Sequence, residues 1–182
     1  KLGIKINTEN LYIAENATLI LPLHKELDEI REDSANENKI GTTRKGIGPA
    51  YEDKIGRRGI KVIDLGDENN LSKKLDLLLI HHNSIRKGLG KELVDKKDLM
   101  KKLDSISSEI LKYSKPIWKK IDEFKKEKKT ILFEGAQGIL LDVDHGTYPF
   151  VTSSNTVASA ALTGSGCGLN TIKYVLGIVK AY

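Results

Sequence analysis

Residues 41–59, GTTRKGIGPAYEDKIGRRG, gather glycine, hydroxyl and guanidinium groups in the mixture that an anion site uses. Gly41, Gly46 and Gly48 let the backbone turn where a side chain would clash, so successive amides could converge on an anion. Thr42 and Thr43 add hydroxyl donors, and Arg57 and Arg58 supply planar forks matched to phosphate oxygens. The stretch reads as too rich in glycine for a helix, and it follows neither GxxxxGK[ST] nor GxGxxG. Composition alone leaves a phosphate cradle and a solvated, turning surface loop both open.

A second chemical stretch is FEGAQGILLDVDHGTYPFVTSSNT, 133–156. A short apolar run ending in Gly135 and Gly138 puts Gln137 at the carboxyl edge of a sheet, where ligands of α/β proteins bind. Its amide offers both a donor and an acceptor, as a purine edge requires, or it satisfies loop backbone. Thr152 to Thr156 precede a helical stretch, so hydroxyls and free helix amides could meet a phosphate. Asp142, Asp144 and His145 lie between them. In an extended segment the two carboxylates share one side and the histidine takes the other, poor geometry for a three-ligand metal site, so loop-stabilising hydrogen bonds are expected. No metal ligands are assigned. His24, His81 and His82 have no histidine at i+4 and read as surface or boundary residues.

These residues need a frame. NLYIAENATLIL reads as a short strand leading into a helix with Leu23, Leu27 and Ile30 on one face. KVIDLG, 61–66, reads as a short extended piece. Leu71, Leu75, Leu78 and Ile85 trace a further helix that Gly88 and Gly90 stop, and Leu93, Leu99, Leu103, Ile106 and Ile110 another. Pro116 starts a separate helix with Ile117, Ile121 and Phe124 inward. TILFEGAQG changes the period to that of a parallel strand, NTVASAALTG is small-residue helix material, and TIKYVLGIVKAY reads as a buried strand. Strands alternating with helices predict an α/β fold with a mostly parallel central sheet flanked by helices.

Composition narrows the partners. At 182 residues and 39% apolar, the chain can bury one core of ordinary size. It has no apolar run long enough to span a bilayer, so no membrane partner and a cytoplasmic location are expected. Cys167 is the one cysteine, which excludes an internal disulfide and a thiolate zinc site. The net charge of +5 comes from lysines mixed with acids on helical stretches, and aromatics are 5%, a pattern of solvated faces rather than of a nucleic-acid platform. The first residue is Lys1 and the last is Tyr182, directly after an apolar run, and the chain reads as a fragment cut from a longer protein on both sides.

GTTRKGIGPAYEDKIGRRG, FEGAQGILLDVDHGTYPFVTSSNT and ALTGSGCGLN, in this order and spacing, resemble adenylosuccinate synthetase. The likeness covers essentially the whole chain, and IAENATLILPLHKELDEIRED resembles the segment that precedes the first motif in bacterial members. The resemblance implies a P-loop-NTPase-like synthetase fold, incomplete here, with 1–182 the central portion of a single domain. It implies a GTP-dependent ligase that joins IMP to L-aspartate, with Mg2+, as a homodimer. Thr43 and Thr152 would contact the IMP 5′-phosphate, and Arg57 would reach the same phosphate in the neighbouring subunit. Gln137 would meet the purine 6-oxygen as it gains charge, the one catalytic assignment. The family's GTP loop, magnesium ligands and aspartate-binding segment have no counterpart here, so the chain alone is expected not to catalyse the reaction. A non-catalytic nucleotide-monophosphate-binding module is the alternative. Members commonly read TTGRG where this chain has Thr42 to Gly46, so Arg44 replaces a glycine and a stiffer loop is expected.

Overall fold

Ile13–Ala14 (β1) pairs in parallel with Ser114–Lys115 (β2), Ile13 opposite Ser114 and Ala14 opposite Lys115. The computed structural model describes residues 3–35 and 39–181, and its backbone divides into two units, Lys1–Pro116 and Ile117–Tyr182.

The described residues of the first unit also form four α-helices: Pro22–Ser34 (α1), Ile47–Ile55 (α2), Glu68–Gly88 (α3) and Lys96–Leu111 (α4). Each start has a local cause. Pro22 occupies the first position of α1, where its missing N–H is no loss, and the Leu21 amide donates to His24 Nδ1 at 2.9 Å. Asp67 caps α3 by accepting from the Asn70 amide, and Asp95 caps α4 by accepting from Asp98. The core lies where the leucine stripes meet: Leu71, Leu75 and Leu78 of α3 and Leu99 and Leu103 of α4 are buried with Leu23 and Ile60.

The expected extended piece at 61–66 bends instead. Lys61 does bridge Thr18 in antiparallel fashion, but Val62–Gly66 turns into a 3-10 helix because Asp64 accepts from the Lys61 amide at 2.8 Å and from Lys74 Nζ at 2.5 Å. A buried carboxylate with those donors fixes the chain in a turn rather than a ladder.

The second unit holds Ile117–Lys126 (α5), a short 3-10 turn at Ile139–Leu141, Ala160–Ser165 (α6) and a 3-10 turn at Leu169–Thr171. The fold is α/β with a parallel sheet and flanking helices, as expected, but the sheet has two strands among the described residues. The segments read as strands at 130–134 and 171–181 carry no ladder there, and Tyr182 lies outside the described residues. Leu132 is 85% exposed and Tyr174, Val175, Leu176, Ile178 and Val179 are 65–91% exposed, so the run expected to be buried is open. A strand is made by its neighbours' N–H and C=O groups, and among the described residues no ladder forms along these apolar runs. No described helix is long and apolar enough to cross a membrane.

Candidate functional site

The stretch 41–59 is organised around a helix that its glycine count conceals. Gly48 is the one glycine inside α2, Pro49 sits in the first turn where it is tolerated, and the remaining glycines fall outside the helix. Gly46, the residue before α2, has φ 79°, and Gly56 follows its last residue. Two of the amides expected to converge on an outside anion already have partners. Gly41 N–H donates to Glu32 Oε1 at 2.7 Å and Gly46 N–H to Asp28 Oδ2 at 2.9 Å, both carboxylates buried on α1. The loop backbone is therefore tied to its own protein, and what it presents outward is side chains. Thr43 and Arg57 are exposed. Arg44 has φ 55° and its guanidinium pairs with Asp33 at 2.7 Å.

Behind α2 lies a buried polar network that sequence reasoning missed. His24 and His82, expected at the surface or its boundary, are 0% and 2% exposed, and both point Nε2 at Asp53 Oδ2, at 2.8 and 2.6 Å. Arg58 Nε reaches the other oxygen, Oδ1, at 2.6 Å. One carboxylate thus ties α1, α2, α3 and the turn after α2. Burial pushes the Asp53 carboxyl up, but hydrogen bonds from His24 and His82 outweigh it and hold the group well below the usual carboxylate range. A folded value below the unfolded one contributes stability that is complete above about pH 4 and is lost as the pH falls through the folded value. Thermal melts from pH 6 down to pH 3 are expected to fall more steeply for the native chain than for Asp53→Asn, whose side chain does not titrate. Parallel curves would refute this.

The ligand atoms of His24, Asp53 and His82 all lie within 4.8 Å of one another, a spacing a metal could use. The donor chemistry is wrong for one. His24 Nδ1 accepts the Leu21 amide, so its ring proton sits on Nε2, the atom that would have to ligate. The remaining neighbour of the carboxylate is the Arg58 cation. Magnesium asks for oxygen ligands and retained water, and a dry two-imidazole, one-carboxylate cluster does not offer them.

In the second unit, Asp142 organises the 135–157 loop. It accepts from the backbone amides of Asp144 and His145 at 3.0 Å, of Thr156 at 2.5 Å and of Val157 at 3.2 Å, and from Asn155 Nδ2. Burial raises this carboxyl and the four amides lower it further, well below the ordinary range. The expected loop-stabilising role holds: its oxygens are spent on backbone, so Asp142 does not fit magnesium, and Asn155 also donates to Asp144 Oδ2 at 2.6 Å. The Thr156 and Val157 amides, at the start of the stretch expected to be helical, belong to this network. Gln137 is exposed with φ 63°, and Thr152 is half-buried with its amide bonded to the Leu141 carbonyl at 2.9 Å.

Thr43 and Arg57 lie in the first unit, before and after α2; Gln137 and Thr152 lie in the second, before and after Asp142 in the chain. The profile of the adenylosuccinate synthetase family matches residues 1–182. The chain belongs to that family. Among solved structures, fully ligated adenylosuccinate synthetase from Plasmodium falciparum matches at TM-score 0.81 with 27% identity, over 89% of this chain and 38% of that one. The chain spans well under half the length of that synthetase. The family's replaced glycine falls where a glycine is easiest to explain: Arg44 sits in the left-handed region that side chains rarely adopt, held there with its fork on Asp33.

Proposed function

We propose that this chain supplies the IMP contacts of a GTP-dependent ligase that joins IMP to L-aspartate, giving adenylosuccinate, GDP and phosphate. In that reaction the γ-phosphoryl of GTP passes to the purine 6-oxygen, and the aspartate amine then displaces it as phosphate. Gln137 donates an amide N–H to the 6-oxygen as negative charge develops there, a contact stronger in the transition state than in the ground state. Thr43 and Thr152 hold the 5′-phosphate through their hydroxyls. Arg57 supplies a bidentate fork to the phosphate in the neighbouring subunit, so the working form is a homodimer in the cytoplasm. Magnesium would screen the GTP phosphates, and no step is assigned to it because the acidic clusters described do not fit it.

The observation that carries this reading is the family match over residues 1–182. Geometry adds support. Thr43 and Arg57 flank a nine-residue helix, about 13 Å of rise, so two residues of one loop face separate places, as sharing across a subunit boundary would need.

Calorimetric titration with IMP tests the site. Gln137→Ala with Thr152→Ala is expected to weaken IMP binding on the order of 100-fold, as loss of a base contact and a phosphate contact together. Mixing Arg57→Ala protein with the Gln137→Ala, Thr152→Ala protein is expected to restore about a quarter of the intact sites if the sites are shared. Unchanged affinity in the double variant would overturn the site. No restoration would overturn the sharing. GTP dependence of IMP turnover by the complete enzyme separates the ligase from a binding module without chemistry.

A further inference from the structure

The turn that carries Arg57 is held by one residue from two directions. The amides of Arg58 and Gly59 both donate to the Asp53 carbonyl at 3.0 Å, while the Asp53 carboxylate holds the Arg58 side chain through Nε at 2.6 Å. Between these anchors Arg57 stands exposed with φ 61°, a conformation uncommon for a residue with a side chain. The Arg58 guanidinium folds back across the end of α2. A Cβ added at Gly56 would lie 2.2 Å from Arg58 Nη1 and 2.8 Å from Cζ, so a glycine is needed for the fork to pass. On the far side of the carboxylate, His24 from α1 and His82 from α3 both take Oδ2 and leave Oδ1 to Arg58.

The geometry points to Asp53 and Arg58, anchored by His24 and His82, as the positioning unit of Arg57. Arg58 is a positioning residue: its Nε is held by Asp53 Oδ1, and its effect on a phosphate passes through its neighbour. A guanidinium recognises phosphate by direction as well as charge, so a turn that relaxes out of the left-handed region aims the Arg57 fork elsewhere. The assignment rests on the reading of Arg57 as a phosphate contact, whereas the clamp itself can be observed without any ligand.

The test uses Arg57→Ala, Arg58→Ala and the double variant, with amide hydrogen exchange and IMP titration on each. Arg58→Ala is expected to speed exchange at Gly59 on the order of tenfold while the α3 amides at 75–79 stay as slow as in the native chain, which separates local release from general loss of stability. IMP affinity is expected to fall by a similar factor, and the double variant to bind no worse than Arg57→Ala, since Arg58 then has nothing to position. Gly56→Ala, which displaces the fork without deleting a hydrogen-bonding group, is expected to reproduce the exchange result and serves if Arg58→Ala does not fold. Unchanged exchange at Gly59, or additive losses of affinity in the double variant, would overturn the inference. If Arg57→Ala leaves IMP binding intact, the phosphate reading of Arg57 fails, and the positioning role with it, even where faster exchange shows that the clamp exists.

Discussion

Asp53→Ala is expected to lower the stability of the first unit by about 3–5 kcal/mol, enough to unfold a domain of ordinary stability at moderate temperature. The carboxylate is 1% exposed and accepts from three side chains on three separate pieces of chain. Alanine removes the acceptor and leaves the donors in place. Arg58, about a quarter exposed, can turn toward water, but His24 and His82 cannot, and each keeps an Nε2 proton aimed at an empty space. Asp53→Asn keeps the volume and one acceptor oxygen, and its loss is expected to be smaller. Denaturant unfolding of the two variants beside the native chain measures the difference. A loss below about 1 kcal/mol for alanine would show that water replaces the carboxylate and that the network carries little of the stability.

Gly46→Ala is expected to cost about 2–4 kcal/mol through two separate effects. The residue has φ 79°, which alone costs a side chain about 1–2 kcal/mol. The new Cβ would also lie 2.7 Å from the Lys25 nitrogen and 2.8 Å from the His24 carbonyl carbon, and backbone cannot swing aside as a flexible side chain can. α2 would have to lift from α1, loosening Asp28 from the Gly46 amide. Gly41 provides the control. Its φ is 83°, yet nothing lies within 4 Å of an added Cβ, so Gly41→Ala carries the backbone strain without the clash. Equal losses at the two positions would mean that the close approach of α2 to α1 is not what requires the glycine.

The helices were legible because their leucines repeat. Leu71, Leu75 and Leu78 fall on one stripe, and they do form the buried face of α3. The same stripe runs on through His82, four residues after Leu78, which is the signal that marked this histidine as interior. Helical spacing offers it no partner, since Asp53 is 29 residues away from His24 and from His82. α2 was hidden by a count of glycines over 41–59 that took no account of position. Within 47–55 one remains, at Gly48, and Gly46 and Gly56 mark where the helix begins and ends. The strands at 130–134 and 171–181 were read from apolar runs, and such runs report what a segment needs rather than what stands beside it. In the loop at 135–157 the preference for hydrogen bonding over metal followed from alternation, but which amides Asp142 would take did not, since that depends on a fold-back from Thr156.

The equal spacing of the Asp53 network also constrains the route to the native state. His24 and Asp53 close one loop of 29 residues and Asp53 and His82 a second, so the network cannot form locally in any single helix. Its bonds require α1, α2 and α3 to be docked already, and a carboxylate brought out of water before its donors arrive would oppose collapse. The leucine contacts carry no such penalty and can assemble first. The polar network then acts as a late lock: it adds little to the speed of folding and most of its effect to the slowness of unfolding, making the lifetime of the folded unit, more than its formation, depend on one aspartate.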